Sequence, residues 1–201
     1  MKIHCIIQAR MGSTRLPGKV VEMLGDRTLL GMVYERCIKT ANINKVIIAA
    51  HELDFTDGLC VQGPEEPAAR FVKVLTEHPC DGFVRVCADS PFIDRAMIGV
   101  AADKIIPSIR GGHDYWLAGN GKMHGNQAEG FNTQAFLNAE PSMQGDEREH
   151  LGLWFQRRDR LTVDTPGDLE RARLIVSRMT KPHTEYRAAE CLELLRNEIQ
   201  E

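Results

Sequence analysis

Short apolar runs alternate along this chain with longer segments whose apolar residues recur at helical spacing. Three runs, residues 3–7 (IHCII), 46–50 (VIIAA) and 82–88 (GFVRVCA), lack the apolar–polar alternation of a half-exposed strand. They therefore predict strands that are buried on both faces. Residues 28–40, 67–76 and 94–106 predict helices, the last capped by Asp94. Residues 20–24 predict a short extended piece turned at residues 25–26, and residues 113–118 a further strand.

The second half of the chain continues the alternation less regularly. Residues 146–157 predict a helix and residues 160–163 a brief strand. Thr165 and Pro166 then suit the N-cap and first position of a helix over residues 169–178, and an amphipathic helix over about residues 184–199 follows. Strands that alternate with helices predict an α/β fold with a mostly parallel central sheet flanked by helices. With no repeat or linker, residues 1–201 are interpreted as a single domain.

Composition narrows the range of functions. The net charge of −3 argues against general binding of nucleic acid or membrane surfaces, which would require an excess of Lys and Arg. No apolar stretch approaches the roughly 20 residues that span a bilayer, and the first residues do not resemble a signal peptide. The six cysteines form no CxxC pair and the seven histidines no zinc-binding spacing. We expect a cytoplasmic protein with reduced thiols and no structural zinc.

A basic, glycine-containing loop follows the first predicted strand. Residues 8–19 read QARMGSTRLPGK and bring three cations and two glycines to the end of that strand. Backbone amides of such a loop form an anion-binding nest, and Arg and Lys suit phosphate oxygens. The loop is not a Walker A motif, because five residues separate Gly12 from Gly18 and Val20 follows Lys19. It predicts a triphosphate site whose metal ion is held elsewhere; the alternative is a solvated surface loop.

Two aspartates are candidates to hold that metal ion. Asp89 ends the strand of residues 82–88, and Asp164 ends the brief strand of residues 160–163; a proline follows each within two residues. If the two strands are neighbours, both carboxylates can bind one or two Mg²⁺ ions together with phosphate oxygens and water. The alternative is that Asp89 forms a turn and Asp164 helps to cap a helix.

The motifs together resemble a known family. The chain is similar to cytidylyltransferases of the spore-coat polysaccharide biosynthesis protein F type and, more distantly, to the 3-deoxy-manno-octulosonate and acylneuraminate cytidylyltransferases. The resemblance covers about residues 1–178. It is carried by residues 8–19, 88–91 (ADSP), 148–150 (REH) and 163–170 (VDTPGDLE), in that order.

The resemblance implies a Rossmann-like, glycosyltransferase-A-type nucleotidyltransferase fold. It also implies transfer of CMP from CTP to a sugar, a sugar acid or a similar small polar acceptor, with release of pyrophosphate and with Mg²⁺ as cofactor. Lys19, Arg15, Asp89 and Asp164 are the predicted catalytic residues, the two aspartates as metal ligands. The predicted nucleotide-binding residues are Gln8, Ala9, Arg10, Gly12, Ser13, Thr14, Arg15, Lys19, Arg70 and Asp89. The predicted substrate-binding residues are Tyr115, Glu129, Arg148, Glu149 and His150.

Some features leave alternatives open. After the second strand the family commonly shows Ala-Thr and an acidic turn, whereas this chain has Ala50-His51-Glu52. The choice of base is therefore open, and a nucleotidyltransferase that uses another NTP is one alternative. A catalytically silent nucleotide-binding protein is another, although the presence of both aspartates argues against it. The pattern of the last helix permits either a homodimer or packing within one chain.

Overall fold

The computed structural model describes residues 1–13, 15–109, 114–119, 124–158, 161, 163 and 166–196. The chain divides into two compact units, Met1–Phe155 and Gln156–Glu201. Among the described residues, the first unit holds the sheet and the second holds the last two α-helices of the chain. The interpretation of the whole chain as one domain stays a prediction.

The first unit is built on a six-stranded sheet. Its strands are β1 (Ile3–Arg10), β4 (Lys45–His51), β5 (Leu59–Gln62), β6 (Gly82–Cys87), β7 (Tyr115–Ala118) and β8 (Ala128–Asn132), and a separate small hairpin is formed by β2 (Met23–Leu24) and β3 (Arg27–Thr28). The order across the sheet is β5-β4-β1-β6-β8-β7. The strands β5, β4, β1 and β6 run parallel, and β8 lies antiparallel to both β6 and β7. The mostly parallel sheet predicted from the alternating pattern is therefore confirmed.

The helices begin largely where capping residues predict. The Thr28 side chain accepts a hydrogen bond from the Gly31 amide, and the Asp94 carboxylate accepts one from the Ala96 amide. The α-helices are α1 (Leu29–Ile38), α2 (Pro67–Glu77), α3 (Arg95–Ser108), α4 (Thr133–Ala139), α5 (Asp146–Glu149), α6 (Gly152–Arg158), α7 (Pro166–Ser177) and α8 (Ala188–Arg196). Across the described residues, none of these helices is long and apolar enough to traverse a bilayer.

The central strands are apolar throughout because each face of the sheet has its own core. On one face, Cys5 and Ile7 of β1 pack with residues of α1 and α3. On the other, Ile6 packs with residues of α2 and α4 and with a cluster of phenylalanines, in which the Phe83 and Phe131 rings stack 4.9 Å apart. Successive residues of β1 thus enter different cores, which explains its unbroken apolar run.

The structure departs from the predicted elements in several places. The helix predicted over residues 146–157 is two helices, because the chain leaves α5 at His150 and buries Leu151 completely in the second core. Residues 161 and 163 are not in a strand, and the rest of that predicted strand, with Asp164, lies outside the described residues. The final helix is α8, preceded by a short 3-10 turn at His183–Glu185. The sequence analysis also missed β5, β8 and α4, which are all short.

Candidate active site

The carboxyl ends of the parallel strands form one edge of the sheet, where ligands of open α/β sheets bind. Arg10 is the last residue of β1, and Asp89 follows β6, the neighbouring strand, by two residues. The backbone stays paired up to this point, since the Ala88 amide donates to the Gln8 carbonyl at 3.0 Å. The edge therefore presents the basic loop and Asp89 side by side.

The basic loop folds back on itself after β1. The amides of Ser13 and Gly18 both donate to the Met11 carbonyl, at 2.9 and 3.0 Å, and the Leu16 amide donates to the Ser13 hydroxyl. Gly18 has φ of 74°, a left-handed conformation that favours glycine. Among the described residues other than its two chain neighbours, no atom lies within 4 Å of the position that a Cβ on Gly12 would occupy, so they leave open space beside that residue. Thr14 lies outside the described residues.

Lys19 and Asp89 form the central contact of the site. The Lys19 Nζ lies 2.6 Å from Asp89 Oδ2, although 70 residues separate them in the sequence. The side chains are 26% and 44% exposed, so both can reach a ligand at the edge. The geometry therefore brings together a predicted catalytic cation and a predicted metal ligand. Arg15, the other predicted catalytic cation, is exposed in the loop.

The donor set at Asp89 fits a hard divalent cation. Mg²⁺ takes oxygen ligands, and commonly one or two carboxylates with the rest supplied by phosphates and water. Asp89 offers such a carboxylate, partly exposed, beside the loop that is predicted to bind phosphates. Within the described ranges, no three His, Cys, Asp or Glu residues are grouped so that they could hold a metal by themselves. A metal at Asp89 would thus take its remaining ligands from phosphate oxygens and water. Asp164, outside the described residues, stays a predicted second ligand.

Two arginines flank the edge beside α2 and α5. Arg10 Nη2 lies 3.2 Å from Glu149 Oε1, an ion pair between residues predicted on the nucleotide and acceptor sides. Arg70 is completely buried, and its Nη1 donates to the carbonyls of Pro64 and Glu65 at 2.8 and 2.9 Å. Its Nε and Nη2 have no hydrogen-bond partner among the residues that the structure describes. Burial, reinforced by the charges of Arg10 and Arg85, lowers the pKa of Arg70 to about 10.

Arg148 is engaged within the protein. Its Nη2 lies 2.6 Å from Glu66 Oε1 and 2.5 Å from Glu140 Oε1, and its Nη1 donates to the carbonyls of Glu140 and Met143. The Arg148 guanidinium correspondingly lowers the pKa of Glu66. These contacts tie α5 to the start of α2, which holds the neighbouring Glu149 against Arg10. His150, the third residue of this motif, is exposed.

Tyr115 and Glu129 lie in a buried polar cluster with Arg85, a residue that the sequence analysis did not single out. Glu129 Oε2 forms an ion pair with Arg85 Nη1, and the Tyr115 hydroxyl donates to Glu129 Oε1 at 2.8 Å. The side chains of Arg85 and Glu129 are only 9% and 12% exposed. Ala9, a predicted nucleotide-binding residue, is likewise a core residue, so its side chain is not available to a nucleotide.

The comparisons agree with this architecture. A family model described as Cytidylyltransferase matches residues 4–180. The spore coat polysaccharide biosynthesis protein SpsF of Bacillus subtilis is 37% identical over 110 residues, which cover 47% of this chain and 46% of that protein. The 3-deoxy-manno-octulosonate cytidylyltransferase of Trichlorobacter lovleyi is 31% identical over 115 residues, 53% of this chain and 46% of that enzyme.

A solved cytidylyltransferase structure from Leptospira borgpetersenii superposes with a TM-score of 0.70 at 23% sequence identity, covering 98% of this chain and 94% of that one. At this identity the superposition shows the fold. The chain spans about half the length of the curated relatives that it matches. The expected nucleotidyltransferase fold is therefore confirmed.

Proposed function

Because the chain belongs to the cytidylyltransferase family, we propose that it transfers CMP from CTP to a sugar, a sugar acid or a similar small polar acceptor and releases pyrophosphate. The observation that carries this proposal is the pairing of Lys19 with Asp89 at 2.6 Å, beside the basic loop at the carboxyl edge of the sheet. A polyanion with a divalent counterion would interact favourably with both members of this pair.

The reaction requires positioning and charge stabilisation more than covalent chemistry. An acceptor hydroxyl would attack the α-phosphorus of CTP in line with the leaving pyrophosphate. Lys19 and Arg15 would stabilise the negative charge on the α-phosphate and the leaving group. Asp89, and Asp164 as the predicted second ligand, would hold Mg²⁺, which neutralises phosphate charge when bound. Gly12 leaves open space at which phosphate oxygens can approach the backbone.

The choice of first acceptor follows from the relatives. One of them is named as an enzyme of 3-deoxy-manno-octulosonate and another as a protein of polysaccharide biosynthesis. We therefore propose a sugar acid as the first acceptor to test. Arg10, whose ion pair with Glu149 would hold it near the predicted acceptor side, is compatible with a negatively charged sugar.

The proposal is tested by following pyrophosphate release from each of the four NTPs, with Mg²⁺ and with 3-deoxy-manno-octulosonate or other sugars as acceptors. Release is expected with CTP, and CTP is expected to raise the melting temperature more than ATP, GTP or UTP does, since a bound ligand stabilises by mass action. If another nucleotide stabilises the protein and is turned over, that nucleotide, and not CTP, is the substrate. Binding of CTP without release from any acceptor would support a silent nucleotide-binding protein instead.

The role of Asp89 is tested with a matched pair of variants. Asp89→Asn keeps the shape of the side chain but removes its charge, and we expect at least about a hundredfold loss of turnover because several kcal/mol of metal-dependent stabilisation disappear. Asp103→Asn is the control, because Asp103 lies on α3 and accepts a hydrogen bond from Asn42, in the loop that leads into the opposite end of β4. Equal turnover of both variants would show that Asp89 does not hold the metal.

A further inference from the structure

Gln8 lies near the carboxyl end of β1, two residues before its last residue, Arg10. Its side chain lies on the same face as Ile6, above the second core, and its register partner on β6 is Cys87. Arg85 Nε donates to Gln8 Oε1 at 2.8 Å, which joins β1 to β6 through their side chains. In the sequence, Gln8 is the first residue of the basic segment 8–19, and Arg85 precedes Asp89 by four residues.

Arg85 is held from its other side by Glu129 and Tyr115. Arg85 and Glu129 face each other in register on β6 and β8, and their ion pair is buried. Burial opposes the charge on Arg85, but the neighbouring acid Glu129 leaves the pKa of Arg85 above its ordinary value. Gly152, at the start of α6, closes over the cluster so tightly that a Cβ there would collide with the Glu129 carboxylate and the Tyr115 hydroxyl. The Arg85 guanidinium therefore has one fixed position.

A fixed guanidinium determines which way the Gln8 amide points. Arginine carries five N–H donors and no acceptor, so only the carboxamide oxygen of Gln8 can face it. The Gln8 NH₂ group is consequently turned away from Arg85. Over the described part of the chain, Gln8 Nε2 has no hydrogen-bond partner, and it is not among the fully buried polar atoms without one, so it is at least partly accessible to solvent.

We infer that Arg85 is a positioning residue that locks the Gln8 carboxamide, and that Gln8 is a specificity-determining donor to an oxygen of the acceptor molecule. The inference rests on the proposed function and assigns Gln8 to the acceptor, whereas the sequence analysis placed it with the nucleotide. The Gln8 side chain leans from β1 towards β6 and β8, the strands that carry Arg85 and Glu129, and away from β4 and β5 on the other side of β1.

Two substitutions separate a donor to the substrate from a structural partner of Arg85. Gln8→Glu keeps an oxygen for Arg85 Nε but has no N–H donor, whereas Gln8→Met removes both functions without adding a charge. With 3-deoxy-manno-octulosonate as the acceptor probe, we expect the acceptor KM to rise about tenfold in both variants, the effect of one lost hydrogen bond, while the KM for CTP changes less than about twofold. An acceptor KM that stays within about twofold of wild type in Gln8→Glu overturns the inference.

A second measurement does not depend on turnover. In protein labelled with ¹⁵N-glutamine, the Gln8 NH₂ signals are assigned by their loss in Gln8→Glu. We expect these protons to exchange with water as exposed amides do, and their chemical shifts to change in Arg85→Lys, which keeps the positive charge but lacks Nε. Protection from exchange, or shifts that do not respond to Arg85→Lys, would overturn the inference. If wild-type protein releases no pyrophosphate with any acceptor, the proposed function fails while this test of the amide still decides the orientation.

Discussion

Replacement of Glu129 by Gln is the most direct test of the buried cluster beside the candidate site. The substitution keeps the size of the side chain and an oxygen that can accept from the Tyr115 hydroxyl, which donates to Glu129 at 2.8 Å. It removes the negative charge that faces Arg85. Because the two side chains are only 9% and 12% exposed, water can replace that charge only in part.

The size of the effect follows from this burial. Removal of one partner of a buried ion pair costs about 3–5 kcal/mol, since the other charge is left uncompensated. A protein of this length loses about 2–4 °C of melting temperature per kcal/mol, so Glu129→Gln is expected to melt roughly 6–20 °C lower. A double variant in which methionine replaces both Arg85 and Glu129 removes both charges, and we expect it to recover most of this loss.

Thermal and urea unfolding of the variants measure this prediction. Glu77→Gln is the matched control, because Glu77 faces Lys73 at 3.8 Å on the surface and both side chains are 46% exposed. Such a pair contributes only about 0–1 kcal/mol, so the control is expected to melt close to wild type. A melting temperature of Glu129→Gln within about 2 °C of wild type would refute the burial argument and leave Glu129 free to bind substrate.

Two further predictions concern titration and metal binding. Burial, together with the charge of Lys45, lowers the pKa of His4 in the native state below the value of 6.5 expected in the unfolded chain, so the unfolded chain binds the proton more readily. His4 therefore lowers the free energy of unfolding as the pH falls through about 6.5, and the urea midpoints of His4→Gln should change less steeply with pH in that range. A slope equal to that of wild type contradicts the assignment. Lys19→Met frees Asp89 from its 2.6 Å ion pair, and Mn²⁺ binding without nucleotide, followed by electron paramagnetic resonance, should strengthen about 2–5-fold. Unchanged Mn²⁺ affinity would mean that the metal does not bind at Asp89.

The positions of Lys19 and Asp89 were accessible from sequence because local patterns determine both. An apolar run followed by a basic loop marks the end of β1, and another run followed by Asp89 marks the end of β6. Parallel strands bring such ends to one edge whatever the details of side-chain packing. The same reasoning does not extend to Asp164. The prediction for Asp164 requires a strand over residues 160–163, and the described residues 161 and 163 are not in a strand.

The partners of buried charges depend instead on contacts that no local pattern records. From the sequence, Arg148 could bind substrate, but in the structure Glu66 and Glu140 bind its guanidinium. Glu129 could do the same, but it is paired with Arg85, which lies 44 residues earlier in the chain. One local signal did exist: Arg85 is the single charge within the buried strand of residues 82–88. A cation in a strand that is covered on both faces needs an acid or a ligand beside it. Glu129, in register with Arg85 on the neighbouring strand, supplies that acid. Gln8 supplies only its carboxamide oxygen to Arg85, and its NH₂ group is therefore the part of the cluster that we infer can bind a ligand.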